Sequence, residues 1–155
     1  MVNILLVSIF VPLSKQNKIC SELCINNVSH ILGYTWEEAS HFCNTTSPKS
    51  QLAEFYETDH FEVIRKLVIS RAFPLADWWL GARDVEQEGT YQWERSRGEV
   101  AQQMWARNEP SHTVEHCVQM YQGQDGYLND QKCAARQGKE NRQIYPLCQV
   151  KNGNL

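Results

Sequence analysis

The sequence lacks the patterns that mark several large functional classes. No run of Lys or Arg is longer than two residues and the net charge is −3, so the chain offers no basic stretch for nucleic acid phosphates. It also contains no Gly-x-Ser-x-Gly motif, no His-Glu-x-x-His motif and no glycine-rich phosphate-binding loop, which are signatures of several enzyme classes. We therefore expect neither a nucleic acid partner nor an enzymatic activity.

Long apolar segments are also scarce. The first apolar run, from Ile4 to Leu13, has ten residues, whereas a helix needs about 20 to span a bilayer. No transmembrane segment is therefore predicted. The length of the run, with Pro12 near its end, is typical of the hydrophobic region of a secretory signal, which we place at residues 1–18. The alternatives are a buried N-terminal strand and an incorrectly assembled gene start.

Cysteine, by contrast, is frequent and even in number. An even number suits disulfides in an exported protein, although six cysteines allow 15 pairings. None lies in a Cys-x-x-Cys spacing, which removes the commonest zinc and thioredoxin-like interpretations. Two N-glycosylation sequons begin at Asn27 and Asn44, so we predict a secreted glycoprotein with disulfides. The six cysteines are Cys20, Cys24, Cys43, Cys117, Cys133 and Cys148.

Two helices are predicted in the first half of the chain. With 155 residues, of which 42% are hydrophobic, the chain can form one domain with its own core, which we place at residues 19–155. Thr35 and Glu38 have the capping-box spacing that starts a helix, and this helix is expected to end near Asn44. Apolar residues at three- and four-residue steps predict a second helix from Tyr56 to Ser70.

Short strands are predicted around a long polar segment. Residues 94–114 have little regular periodicity, and loops of this length inside compact domains are usually functional. Trp105 in this segment, like Trp79 and Trp93, is expected to be a core aromatic and not a surface for stacking sugars. The predicted strands are residues 25–32, 78–81, 90–93, 117–121 and 145–148.

A set of motifs, taken in order, resembles the C-type lectin-like domain over roughly residues 24 to 150. Trp36-Glu37-Glu38-Ala39 with Cys43 resembles the first helix of that family and its cysteine. Each motif alone is weak, and the ordered set indicates the family. The later matches are Trp79-Leu80-Gly81-Ala82, Gly89-Thr90-Tyr91-Gln92-Trp93, Trp105, Glu109-Pro110-Ser111, Leu128-Asn129-Asp130, Cys117, Cys133 and Cys148.

The resemblance implies a fold class and a disulfide framework. The fold is α+β, with two helices flanking small antiparallel sheets and a long calcium-binding loop. The implied disulfides are Cys43–Cys148 and Cys117–Cys133. Cys20 and Cys24 fall outside this framework, and either bridge each other in a tight loop or link to another chain.

The resemblance also implies a calcium site in the polar loop. Calcium takes about 6–8 oxygen ligands, and carboxylates brought together repel unless a cation lies among them. Pro110 is expected to follow a cis peptide bond. Ser111 stands where the family has asparagine, and a serine hydroxyl coordinates weakly or through water, so calcium affinity should fall. The implied ligands of Ca²⁺, and of a sugar bound through it, are Glu109, Ser111, Glu115, Asn129 and Asp130.

The implied function is calcium-dependent carbohydrate binding. Glu109 before Pro110 resembles the mannose-type arrangement more than the galactose-type, so mannose-type glycans are the favoured partners. One site should bind a sugar weakly, and linked copies such as a homo-oligomer would raise avidity. The alternative is a protein-binding domain of the same fold that works without calcium. The lectin is favoured over this alternative because a domain that had lost sugar binding would not be expected to keep Glu109, Glu115, Asn129 and Asp130 together.

A second calcium site is only half present. Asp84 and Glu88 match two family ligands, but His112 and His116 stand where acids would be expected. We therefore expect no second ion, and expect both acids to be solvated loop residues. The two histidines are four residues apart, a metal spacing on a helix, but Pro110 indicates a loop, so we expect surface histidines.

Overall fold

The computed structural model describes residues 7–8, 33–46, 49–71, 76–111 and 114–150. Within these ranges, no helix has the length and apolar character needed to cross a membrane. The predictions that lie outside the described residues concern the strand at residues 25–32, Cys20, Cys24, the sequon at Asn27, and His112.

Helix α1, Trp36–Thr46, begins at the predicted capping box. The Thr35 amide donates to Glu38 Oε2 (3.0 Å) and the Glu38 amide donates to Thr35 Oγ1 (3.3 Å), which satisfies amide groups that have no partner inside the helix. The helix continues past Asn44, where the prediction ended it, and threonine hydroxyls of its last turn donate to carbonyls one turn earlier. Its buried residues are Trp36, Ala39 and Cys43.

Helix α2, Thr58–Arg71, confirms the second predicted helix, with small shifts at both ends. Phe61, Ile64 and Val68 are buried at three- and four-residue steps, as expected for one apolar face. This face packs into the main core together with Trp93. The face of α2 that packs into the core is therefore the apolar face that the sequence pattern predicts.

The larger sheet has five strands and carries most of the core. Its hydrogen-bonded order is β4–β3–β5–β6, and β7 pairs with β3 as well. The pairing of β7 with β3 is parallel, whereas the resemblance implied antiparallel sheets; the other pairings in this sheet are antiparallel. The strands are β3 (Ala76–Arg83), β4 (Gln92–Trp93), β5 (Cys117–Tyr121), β6 (Tyr127–Gln131) and β7 (Gln143–Pro146).

A smaller antiparallel sheet joins the two ends of the described chain. Its order is β1–β8–β2, with β1 at Val7–Ser8, β2 at Ser50–Leu52 and β8 at Cys148–Val150. The single strand predicted at residues 145–148 is therefore split between two sheets. Leu147 lies at the break, where its amide donates to the Trp79 carbonyl (3.2 Å).

Two disulfides tie these layers together with the pairing that the resemblance implies. Cys43–Cys148 joins α1 to β8 across 105 residues of sequence. Cys117–Cys133 joins β5 to the segment after β6 across 16 residues. The first bridge therefore fixes α1 to the smaller sheet, and the second fixes strand β5 of the larger sheet to the segment after β6.

The polar segment 94–114 is more ordered than the sequence predicted. Val100, Met104 and Trp105 in it are buried, and residues 102–104 form a turn of 3₁₀ helix. The predicted core role of Trp79, Trp93 and Trp105 is confirmed, since their exposed fractions are 0%, 1% and 9%. These apolar anchors hold the start of the loop against the core and leave its later, polar part free to form a site.

Candidate functional site

The candidate site lies where the polar loop meets strand β6. Trp105 forms a parallel bridge with Leu128, and the Ala106 amide donates to the Leu128 carbonyl (2.8 Å). These contacts bring Glu109, which follows in the loop, beside Asn129. The loop and the strand therefore supply the two halves of one site.

The loop has the backbone geometry that the motif predicts. The peptide bond between Glu109 and Pro110 is cis, as expected. Ser111 follows directly, and its amide nitrogen lies 2.9 Å from both carboxylate oxygens of Asp130. The backbone of the loop is thereby tied to a carboxylate that is fully buried.

Ser111 also links two of the acids. Its hydroxyl lies 3.1 Å from Glu115 Oε2 and 3.4 Å from Asp130 Oδ2, and a hydroxyl has one proton to donate. Ser111 is exposed, so an incoming ligand can reach it. The shorter side chain predicted to weaken calcium binding therefore acts as a donor between two carboxylates.

Tyr91 contacts the Asp130 carboxylate and the backbone of Glu115, and it was not predicted as a site residue. Its hydroxyl lies 3.0 Å from Asp130 Oδ2 and 2.5 Å from the Glu115 carbonyl. Burial and the neighbouring charge of Asp130 raise the pKa of Tyr91 well above its usual value, so the hydroxyl stays protonated and donates. The sequence showed Tyr91 only as part of a strand motif, because the contact with Asp130 spans 39 residues.

Lys139 brings a positive charge into the site. Its ammonium group donates to Glu109 Oε1 and to Asn129 Oδ1, the latter at 2.9 Å. Lys139 lies in a short 3₁₀ turn at residues 139–141. No motif pointed to it. The sequence carries no signal that relates Lys139 to Glu109, from which it is separated by 30 residues.

Glu109 and Lys139 are unequally buried, and this affects the pKa of each group. The Glu109 side chain is 6% exposed and that of Lys139 is 44% exposed. Burial raises the pKa of Glu109, Lys139 acts to lower it, the charge of Asp130 raises it again, and the net shift is upward. Burial acts most strongly and lowers the pKa of Lys139, but the hydrogen bond to Glu109 and the negative charges nearby together outweigh burial, and the net shift is upward. Lys139 thus offsets only part of the cost of burying Glu109.

The residues fit a hard cation in kind. They provide three carboxylates, an amide oxygen and a hydroxyl, the oxygen donors that calcium prefers. Among the described residues, Glu109 Oε2 is buried with no hydrogen-bond partner, an acceptor that a cation would satisfy. However, no three Asp, Glu, His or Cys side chains in the described ranges are grouped closely enough to hold a metal by themselves. As arranged, the acids contact Lys139, Ser111 and Tyr91, so calcium binding requires some of these contacts to open.

At the second, half-present site, Asp84 contacts other protein groups. Asp84 is buried, which corrects the expectation of a solvated acid. Its Oδ2 accepts from the Gly89 amide (2.9 Å) and its Oδ1 lies 3.0 Å from His116 Nδ1. Glu88 is exposed, and so is His116, as predicted. Asp84 is thus satisfied by protein groups, and the prediction that no second ion binds stays a prediction.

Comparison with known proteins agrees with this geometry. A family model described as the lectin C-type domain matches residues 32–138, which is more than half of the chain. The chain belongs to the C-type lectin domain family. The resemblance seen in the motifs, the two helices, the sheets and the two disulfides is therefore confirmed.

Two curated members of the family show the extent of the sequence similarity. C-type lectin mosGCTL-7 of Aedes aegypti is 36% identical over 87 residues, covering 55% of this chain and 57% of that protein. C-type lectin 1 of Hydrophis hardwickii is 29% identical over 103 residues, covering 64% of this chain and 61% of that protein. In both cases the match spans less than two thirds of the relative.

Solved C-type lectin structures share the fold. The C-type lectin CEL-I from Cucumaria echinata superimposes with a TM-score of 0.62 at 22% identity, covering 76% of this chain and 84% of that one. A mouse scavenger receptor C-type lectin carbohydrate-recognition domain superimposes with a TM-score of 0.58 at 23% identity, covering 78% and 84%. At this level of identity, the likeness establishes the fold of the C-type lectin domain described here.

Proposed function

We propose that this C-type lectin domain binds carbohydrate through a calcium ion held by Glu109, Ser111, Glu115, Asn129 and Asp130. The observation that carries the proposal is the buried Oε2 of Glu109, which has no hydrogen-bond partner, beside the buried Asp130. A buried carboxylate oxygen without a partner is costly, and a cation coordinated there would remove the cost. The relatives named as lectins support sugar as the ligand.

The preference for mannose-type sugars is part of the same proposal. Glu109 can accept a hydrogen bond from a sugar hydroxyl that also coordinates the ion, as in the mannose-type arrangement. Calorimetry with mannose and galactose, each titrated in calcium chloride and again in EDTA, tests it. In calcium chloride, mannose should bind with a dissociation constant on the order of 1 mM. Neither sugar should bind in EDTA. Equal binding of glycan in EDTA would contradict calcium dependence, and stronger galactose binding would contradict the sugar assignment.

Ser111→Asn should tighten calcium binding. Asparagine would place an amide oxygen at the ion and an N–H group toward the sugar, whereas the serine hydroxyl now bridges Glu115 and Asp130. We expect the calcium dissociation constant to fall by about tenfold, since one added charge-assisted ligand contact is worth about 1.5 kcal/mol. Isothermal titration of calcium into both proteins measures it. Ser96→Asn, on an exposed residue outside the site, is the control and should leave the constant unchanged.

The alternative function is protein binding without calcium. One observation favours it: Lys139 already supplies a cation to Glu109 and Asn129, so the loop can be ordered without an ion. In that case the exposed residues of the loop would bind a protein partner directly. Binding measured in EDTA separates the two functions. A lectin of the proposed kind loses its sugar there, whereas a protein partner that needs no calcium stays bound.

We also propose that the protein is exported and glycosylated. Asn44 of the second sequon lies exposed in the last turn of α1, where an attached glycan would not enter the core. The two disulfides are of the kind that persists in an oxidising compartment. Protein secreted from a eukaryotic host should lose mass on treatment with a glycosidase, and Asn44→Gln should remove part of that loss. A cytosolic product without glycan would contradict the proposal.

A further inference from the structure

We propose that the ammonium group of Lys139 takes the place of calcium in the calcium-free protein, where it binds Glu109 and Asn129. Calcium must displace this group in order to bind. This inference rests on the proposed function, since it concerns the same five ligands. It adds a residue that none of the family motifs contains and that lies outside the polar loop. Lys139 thereby sets how tightly the site holds calcium.

The first support is that Lys139 contacts one ligand from each half of the site. Glu109 belongs to the loop and Asn129 to β6, and the ammonium group donates to a side-chain oxygen of both. Calcium bound to Glu109 Oε2, the oxygen without a partner, and to Asn129 would share both side chains with the ammonium group. Two cations held by the same two side chains lie close together and repel each other. Binding of calcium and the observed position of Lys139 therefore exclude one another.

The second support is that the backbone holds Lys139 in place. The preceding Gly138 lies so close to the sheet that a Cβ atom built there would come within 2.3 Å of Asp77 Oδ2. The Gly138 amide also donates to the Arg142 carbonyl (2.8 Å). The turn is thus pressed against the sheet and closed on itself. The backbone of Lys139 is therefore held next to the site.

The third support is the path of the side chain. The Lys139 ammonium lies 5.5 Å from the ring centroid of Tyr121, within the range of a cation–π contact. Arg142 lies 5.6 Å from the same ring. Because the lysine side chain is 44% exposed, water can solvate the ammonium group once it leaves Glu109. Calcium can therefore displace the ammonium group without leaving a charge buried.

The main test is calcium binding by a variant that lacks the charge. Lys139→Gln keeps a polar side chain and removes the ammonium group, so calcium no longer competes with it. We expect the calcium dissociation constant, measured by calorimetry with calcium chloride alone, to fall by about tenfold. Lys66→Gln is the matched control, because Lys66 is exposed on α2 and has only a 3.9 Å ion pair with Glu62. The control should bind calcium like the wild type.

The second test uses the unaltered protein. Lys139 should be acylated slowly by an amine-reactive reagent in EDTA, where its ammonium group is held by Glu109. In saturating calcium chloride the displaced side chain should react severalfold faster, while Lys66 reacts at the same rate in both conditions. Mass spectrometry of the peptides measures both residues in one sample. This arm also decides the proposal if the Lys139→Gln variant does not fold.

The outcomes separate this proposal from the proposed function. Tighter calcium binding by Lys139→Gln supports it, even where no sugar binds. An unchanged dissociation constant, or acylation of Lys139 that calcium does not alter, overturns it, and sugar binding by the wild type in calcium would then still support the lectin function. If neither protein binds calcium, Lys139 is not the competitor and the calcium site fails with it.

Discussion

Asp130→Asn should abolish calcium-dependent sugar binding while leaving the fold intact. Asp130 is fully buried, and its carboxylate is the point at which Ser111 from the loop and Tyr91 from the core meet. Asparagine keeps an oxygen to accept from these groups but removes the negative charge that an ion requires. We expect the calcium dissociation constant to rise at least about a hundredfold, because Asp130 is assigned as a ligand. Mutating a residue that only hydrogen-bonds to a ligand typically costs about 10–100-fold.

Three measurements check this expectation. Calorimetry with calcium chloride and then mannose measures the loss, and the thermal midpoint in EDTA shows that the variant is folded. Asp59→Asn removes the same charge from an exposed position on α2 and should bind like the wild type. Because the ligands must be ionised, wild-type binding should also weaken as pH falls into the carboxylate range. Undiminished sugar binding by Asp130→Asn would contradict the assignment of this residue as a ligand.

Removing the Cys43–Cys148 disulfide should cause the largest loss of stability. The bridge closes a loop of 105 residues in sequence, for which the chain-entropy model gives about 4–5 kcal/mol. Cys43 and Cys148 are buried, so alanine is the suitable replacement because it buries no hydroxyl group. The free energy of unfolding of the double variant, from guanidinium denaturation, should fall by about this amount.

The second disulfide provides the matched comparison. Cys117–Cys133 spans 16 residues, and in the same model the shorter loop makes it worth about 1–2 kcal/mol less than the longer bridge. Replacing this pair with alanine should therefore cost less. An equal or larger loss for the Cys117–Cys133 variant would show that strain or residual structure outweighs loop entropy here.

Several local features were predictable because they depend on residues close in sequence. The capping box of α1 joins Thr35 to Glu38, three residues apart, and its hydrogen bonds form as expected. The start of α2 shifts from Tyr56 to Thr58, because periodicity locates a helix better than it locates its ends. Strand β5 has the predicted bounds, Cys117–Tyr121.

Other features were not predictable because they depend on which strands become neighbours. The strand predicted at residues 145–148 is divided, since its first part pairs in parallel with β3 and Cys148 pairs with β2. Asp84 was expected in solvent, but the loop folds so that the Gly89 amide and His116 satisfy it. Alternation of apolar residues describes burial along one strand and carries no information about its partner.

By itself, the sequence determined the family, the two helices and the disulfide-rich character, because motif order and local spacing encode them, and it predicted a set of oxygen ligands. Only the tertiary structure decided what lies among those ligands. Lys139 is 30 residues from Glu109 and 10 from Asn129 in sequence, with no motif relating them. Its contact with both exists because β6 carries Asn129 to the loop and because Gly138 lets the following turn approach the sheet. Charge compensation depends on distance in space, which the folded chain alone defines.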